Sequence, residues 1–176
     1  MEIRAEAAAV FALASDLRRK ARLNPNIEVI RIDLEGDEPV REGSVFRHRF
    51  VKGGRIIEYR SRCVRCVPPR LFVSRGETDP PFEVRVTVEP TPAGCRLTQQ
   101  EALEAGPEMF DVLRLPPLFP SLRQLGAELR ALQRERVATR LSGELALWLD
   151  AIRAHLEAVA AASGGVRQPL GHGESA

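Results

Sequence analysis

Three cysteines, Cys63, Cys66 and Cys95, are too few and too odd in number for a disulfide framework, so a reducing, cytoplasmic location is expected. No run approaches the ~20 apolar residues of a membrane span. The apolar stretch 7–14 follows Glu2 and Glu6 without a positive leader, which is not a signal-peptide pattern. An excess of one charge is missing too: 26 Lys and Arg against 24 Asp and Glu leave +2, so no global field argues for nucleic acid or a membrane surface. Lysine itself is scarce, two against 24 arginines, which reads as genomic base-composition bias.

Catalytic signatures are absent as well. There is no Gly-rich phosphate loop and no nucleophile elbow. Cys63-x-x-Cys66 has the spacing of a metal or redox motif but not its context. Zinc needs about four ligands, and no second Cys-x-x-Cys or paired-histidine spacing occurs. A thioredoxin-like pair opens a helix, whereas Val67-Pro68-Pro69 follows here. Residues three apart on a regular strand face opposite ways, so the two are expected to be ordinary strand residues. No metal and no cofactor is expected.

What is present reads as one soluble domain, 44% hydrophobic and 28% charged, long enough at 176 residues for a substantial core. Glu6–Leu17 sets Val10, Phe11, Leu13, Ala14 and Leu17 on one helical stripe. A second short helix, RRKARL, stops at Asn24-Pro25, because the residue before proline avoids the helical region. From residue 27 the period becomes 2, in IEVIRIDLE (27–35), GSVFRHRFV (43–51), RIIEYRSRCVRCV (55–67), LFVSRG (71–76), FEVRVTVEPT (82–91) and CRLTQQEALE (95–104). Gly53-Gly54 signals a hairpin, and the short connections favour an antiparallel meander. Residues 105–120 are Pro-rich but apolar and are expected to pack. Helical stripes return at Leu122, Leu125, Leu129 and Leu132, then at Val137, Leu141, Leu145, Trp148, Ile152, Leu156 and Val159. The phase break between them predicts a kink or break near 133–136, and 163–176 reads as a flexible tail.

This order of elements resembles the SRPBCC superfamily of START-like lipid carriers, polyketide cyclase/dehydrase-like proteins and birch-pollen-allergen-like proteins. The opening EIRAEAAAVFALASDL, the stop LNPNIEVI, the glycine entry REGSVFRHRF, the PPRLF break and TVEPTPAGCRLTQQEALE carry the resemblance, over roughly residues 1–160. It implies an α+β helix-grip fold in one domain, 1–162: a curved antiparallel sheet of about seven strands, two short helices and a long C-terminal helix, with an apolar cavity between sheet and helix. These motifs specify fold well and function poorly. Burial leads to the same arrangement, since the sheet's apolar face must be covered and only the terminal helix is long enough.

Strand alternation turns Ile30, Ile32 and Leu34 inward, with Phe46, His48 and Phe50, with Ile57, Tyr59, Ser61 and Cys63, and with Phe82, Val84, Val86 and Val88. Cys95, Leu97, Gln99, Glu101 and Leu103 share a face on the last strand. The candidate ligand-binding residues are therefore Phe46, His48, Phe50, Tyr59, Ser61, Val84, Val86, Gln99 and Glu101, with Trp148 from the helix. An unpartnered buried polar group costs roughly 1–3 kcal/mol, so the polar members must pair with each other, with water or with a ligand. His48 is the candidate general base, with Glu101 the only inward carboxylate to orient it, and in an enzyme His48, Tyr59 or Glu101 would move protons. His155 and His172 read as solvated. Arg31, Arg47, Arg49, Arg60, Arg62 and Arg85 gather on the outer face among Asp33, Glu58, Glu83 and Glu89, with no aromatics to stack on bases. A salt-bridged face is expected there, and no nucleic-acid partner.

Two classes of function follow. The leading one is a carrier or sensor that holds a lipophilic small molecule in the cavity, without membrane insertion; the alternative is a polyketide cyclase/dehydrase-like enzyme. A third reading is a protein-interaction module acting through the Arg-rich face or the 105–140 segment. The oligomeric state stays open.

Overall fold

The computed structural model describes residues 1–78, 81–103 and 120–164, excepting the side chains of 120–134 and 164. Seven strands form one sheet: β1 Glu2–Ile3, β2 Glu28–Glu35, β3 Val45–Lys52, β4 Arg55–Val67, β5 Leu71–Glu77, β6 Phe82–Thr91 and β7 Gly94–Leu103. Their order is β1-β7-β6-β5-β4-β3-β2, and every pair is antiparallel. The meander is the one that alternation and short turns imply. Gly53 and Gly54, at φ 58° and 74°, make the tight turn that sets Lys52 opposite Arg55, a backbone that a side chain would strain.

Helices α1 (Ala7–Ser15) and α2 (Leu17–Ala21) join β1 at one sheet edge to β2 at the other. Asp16 separates them, its carboxylate accepting from the backbone N–H of Arg18 at 3.1 Å as the cap of α2. Val10, Phe11, Leu13 and Ala14 bury the expected stripe of α1 against Phe72, Val86, Val88 and Leu97.

The terminal helix α3 spans Pro120–Gly164 without interruption, so the break expected near 133–136 is not there. A phase slip in the apolar pattern does not by itself break the backbone hydrogen bonding of a helix. Ile152 and Leu156 are buried, with Trp148, Leu149 and Ala160 packed alongside. Val137, Leu141 and Val159 are exposed, contrary to the stripe read from sequence, since Ala160 occupies the inward position after Leu156. The stripe at 122–132, the segment 105–119 and the tail from 165 lie outside the described residues.

Among the described residues, two register shifts mark β-bulges, where a strand bends and its twist increases. One lies between Val29 and Arg31 and turns Ile30 outward, which corrects its assignment to the inner face. The other lies between Cys63 and Arg65. The extra residue, Val64, restores phase, so Cys63 opposite Ser74 and Cys66 opposite Phe72 share the inner face. The premise that they point apart is therefore wrong, although both remain free thiols. Cys63 is wholly buried, and burial pushes its thiol up to about 12, which makes it a poor thiolate source. Among the described residues, no cluster of three His, Cys, Asp or Glu side chains is placed to hold a metal ion.

Candidate functional site

The concave face of the sheet and the middle of α3 enclose a cavity of about 190 Å³. Its aromatic wall comes from β3, β4 and β6. Tyr59 stacks on His48 with ring centroids 4.4 Å apart, and meets Phe50 and Phe82 edge-on at 6.0 and 5.4 Å. These positions follow from register, since His48 faces Tyr59 directly and Phe50 lies one inward step along the strand. Ile32, Val84 and Leu145 add aliphatic surface.

Phe82 reaches this wall because Gly76, its partner across β5 and β6, has no side chain. Its ring lies over the glycine, where an added Cβ would come within 2.2 Å of the ring edge.

The polar members fall into two groups. His48 Nε2 and Ser61 Oγ are 2.9 Å apart. Burial lowers the His48 pKa to about 4, which keeps the ring neutral at physiological pH. Burial also pushes the Tyr59 phenol above its ordinary range. Glu101 does not orient His48, because three strands separate β7 from β3. The Glu101 carboxylate instead accepts from Gln99 Nε2 at 2.7 Å.

Gln99 leads to a residue that sequence reasoning misses. Lys20 Nζ donates to Gln99 Oε1 at 2.6 Å and sits 4.7 Å from the centroid of the Trp148 ring. Lys20 is 1% exposed, and burial pushes its pKa down to about 8 against the opposing pull of Glu101. The signal was present in the sequence: Lys20 follows Leu17 by three, the inward spacing on a helix, and is one of two lysines in an arginine-rich chain.

At the cavity mouth α3 is held down by polar contacts. Lys52 Nζ meets Glu144 Oε2 at 2.5 Å, Asn26 Nδ2 donates to the Glu144 carbonyl at 2.9 Å, and Trp148 Nε1 donates to the Lys20 carbonyl at 3.1 Å. Of the residues proposed from sequence, His48, Phe50, Tyr59, Ser61, Val84, Glu101 and Trp148 line the cavity. Phe46, Val86 and Gln99 do not. Phe46 and Val86 are wholly enclosed by protein, and Gln99 stands behind Lys20. Among the described residues, no buried side-chain nitrogen or oxygen lacks a partner.

A family of proteins described as polyketide cyclase / dehydrase and lipid transport matches residues 1–157. This chain belongs to that family. The membership fits the SRPBCC resemblance and the helix-grip architecture. No curated protein matches the chain in sequence. Among solved structures, the polyketide cyclase / dehydrase and lipid transport fold seen here is similar to the di-domain ARO/CYC StfQ of the steffimycin biosynthetic pathway, at 18% identity and TM-score 0.65. That match covers 92% of this chain and 50% of the other, so the chain spans half the length of that di-domain protein. A Staphylococcus aureus protein of unknown function matches at 12% identity and TM-score 0.60, over 92% of each chain. Norcoclaurine synthase from Thalictrum flavum, solved as a point mutant with a transition-state analogue, matches at 17% and 0.55, over 89% of each chain. At such identities these likenesses establish the shared fold alone.

The six arginines expected on the outer face of the sheet are each paired. Arg31 meets Asp33, Arg47 and Arg60 share Glu35, Arg49 meets Glu58, Arg62 meets Glu77, and Arg85 meets Glu83. No helix among the described residues is long and apolar enough to cross a membrane.

Proposed function

We propose that this protein binds a lipophilic small molecule in the cavity between sheet and α3, as a carrier or sensor. The observation that carries the reading is the aromatic and aliphatic cavity wall, interrupted by a few convergent polar groups, the usual build of a small-molecule site. At about 190 Å³ the cavity is smaller than the ~300–1,000 Å³ of drug-sized sites, which favours a compact one- or two-ring molecule or one end of a longer one. Apolar burial, at about 25 cal/mol per Å² before association costs, supplies the driving force, and the polar groups set orientation. Native mass spectrometry of freshly purified protein, followed by titration with a lipid and polyketide panel, tests this. A retained or added ligand supports the reading; a panel that yields none counts against it.

A polyketide cyclase/dehydrase-like enzyme is the second reading, favoured by the ionisable groups at the cavity. A catalytic acid or base works best with a pKa near the operating pH. By that measure Lys20, near 8, is a stronger candidate than His48, near 4. Turnover of an aromatic polyketide precursor tests it. The protein-interaction reading draws no support from the Arg-rich face, where each of the six arginines has a carboxylate partner.

A further inference from the structure

We propose that Lys20 is a carbonyl-capturing amine, and that the cavity takes an aryl or alkyl aldehyde or ketone whose carbonyl carbon condenses with Lys20 Nζ. This rests on the cavity being a ligand site. It adds the chemical class of the ligand and the atom that grips it.

The geometry supplies three features. Lys20 borders the cavity although it is 1% exposed, so its amine is approached from the cavity side and not from bulk solvent. Among the described residues its head has one hydrogen-bond acceptor, Gln99 Oε1, and otherwise the π face of Trp148. A carbonyl oxygen brought in by a ligand offers the head a second acceptor beside Gln99 Oε1. Glu101, fixed by the amide of Gln99, places a carboxylate one residue removed from the amine.

The ionisation of Lys20 agrees with this geometry. A lysine near pH 8 carries about 300-fold more neutral amine at pH 7 than one at 10.5. The neutral amine is the nucleophile in imine chemistry. The charged or titratable groups around the cavity are Glu101 on β7, His48 on β3, Tyr59 on β4, and the Lys52–Glu144 pair from β3 and α3. Of these, only Glu101 acts on Lys20 strongly enough to oppose its desolvation.

The step balances without a co-reactant. The Nζ lone pair forms the C–N bond and the carbonyl π pair moves to oxygen. Both protons of the neutral amine pass to that oxygen, which leaves as water, and the product is an imine.

The test uses the whole chain and 2-naphthaldehyde, a two-ring probe, with sodium borohydride to reduce any imine to a stable amine. The chain has only two lysines, so labelling is easily assigned. The expected result is one adduct, equal in mass to the aldehyde less one oxygen, mapped to the Lys20 peptide at least tenfold over Lys52 and the N-terminus. It disappears in Lys20→Met. Mapping on the unaltered chain keeps the test decisive should that variant fold poorly. In parallel, 2-vinylnaphthalene, which has no carbonyl, is titrated against the fluorescence of Trp148, the sole tryptophan. Quenching by the hydrocarbon without Lys20 labelling overturns the imine and leaves the binding site standing. No quenching by either probe and no labelling overturns both.

Discussion

The ring of Phe82 lies directly over Gly76, so closely that a Cβ on the glycine would sit 2.2 Å from ring carbon Cε1. The absent side chain is thus part of the cavity wall, because it lets Phe82 lie flat on the sheet and meet Tyr59 edge-on. Gly76→Ala is expected to displace the ring rather than the backbone, since the glycine φ is not positive and the strand accepts alanine. Forcing extra volume against a packed side chain costs roughly 1–3 kcal/mol. Isothermal titration with any ligand from the panel should show affinity falling more than stability; unchanged affinity would remove Phe82 from the wall.

Lys20→Met is expected to hold or raise stability at pH 7. The folded-state pKa, about 8, lies below the 10.5 of a free lysine, so the unfolded chain binds more protons through that window and native stability rises with pH across it. At pH 7 the charged, buried amine costs about 3 kcal/mol, offset in the variant by roughly 1–3 kcal/mol for leaving the Gln99 carbonyl unpaired. Denaturant melts at pH 7 and above 10 check this: the wild type should gain on the variant as pH rises, and a constant gap would mean that Lys20 titrates normally.

His48 gives the corresponding test on the acid side. Its folded-state pKa, about 4, lies below the ordinary 6.5, so its contribution is complete above pH 6.5 and is lost as pH falls toward 4. His48→Phe retains a ring against Tyr59 but cannot protonate. Relative to that variant, the wild type should lose on the order of 3 kcal/mol between pH 7 and pH 4. Parallel stability curves would show that the ring is more open to water than its 7% exposure implies.

Much of this architecture is local information. Period-2 patterning and turn residues place all six long strands within two residues of their ends, because side-chain alternation is dictated by the pleat itself. What alternation cannot encode is an inserted residue. Ile30 and Val64 break phase at bulges, which reverses the face of the former and brings Cys66 round to that of Cys63. The site was legible in proportion to strand content. His48, Tyr59 and Ser61 follow from register, whereas Lys20 lies on a helix of five residues, where the single three-residue step from Leu17 is all the periodicity that marks its buried side. Gly76 left no trace in the pattern, since its role is the absence of an atom.

The Glu144 contacts make the cavity mouth a clasp that can be loosened without altering the aromatic wall. Glu144 takes Lys52 at 2.5 Å and Arg140 at 3.0 Å through its two carboxylate oxygens, while its carbonyl accepts from Asn26. The hydrogen bond from Lys52 holds the Glu144 carboxyl below its ordinary pKa, so the clasp is complete above that ordinary value and fails only as pH drops through the lowered one. The pair is partly shielded, which places its worth at about 1 kcal/mol. Glu144→Gln keeps the shape and removes the charge. If opening of α3 releases the ligand, the dissociation rate should rise about fivefold while association changes little, since affinity differences fall mostly on the off-rate. High salt should speed the wild type toward the variant and leave the variant unmoved. Stopped-flow displacement at two salt concentrations measures both effects, and equal off-rates in the two proteins would place the exit elsewhere.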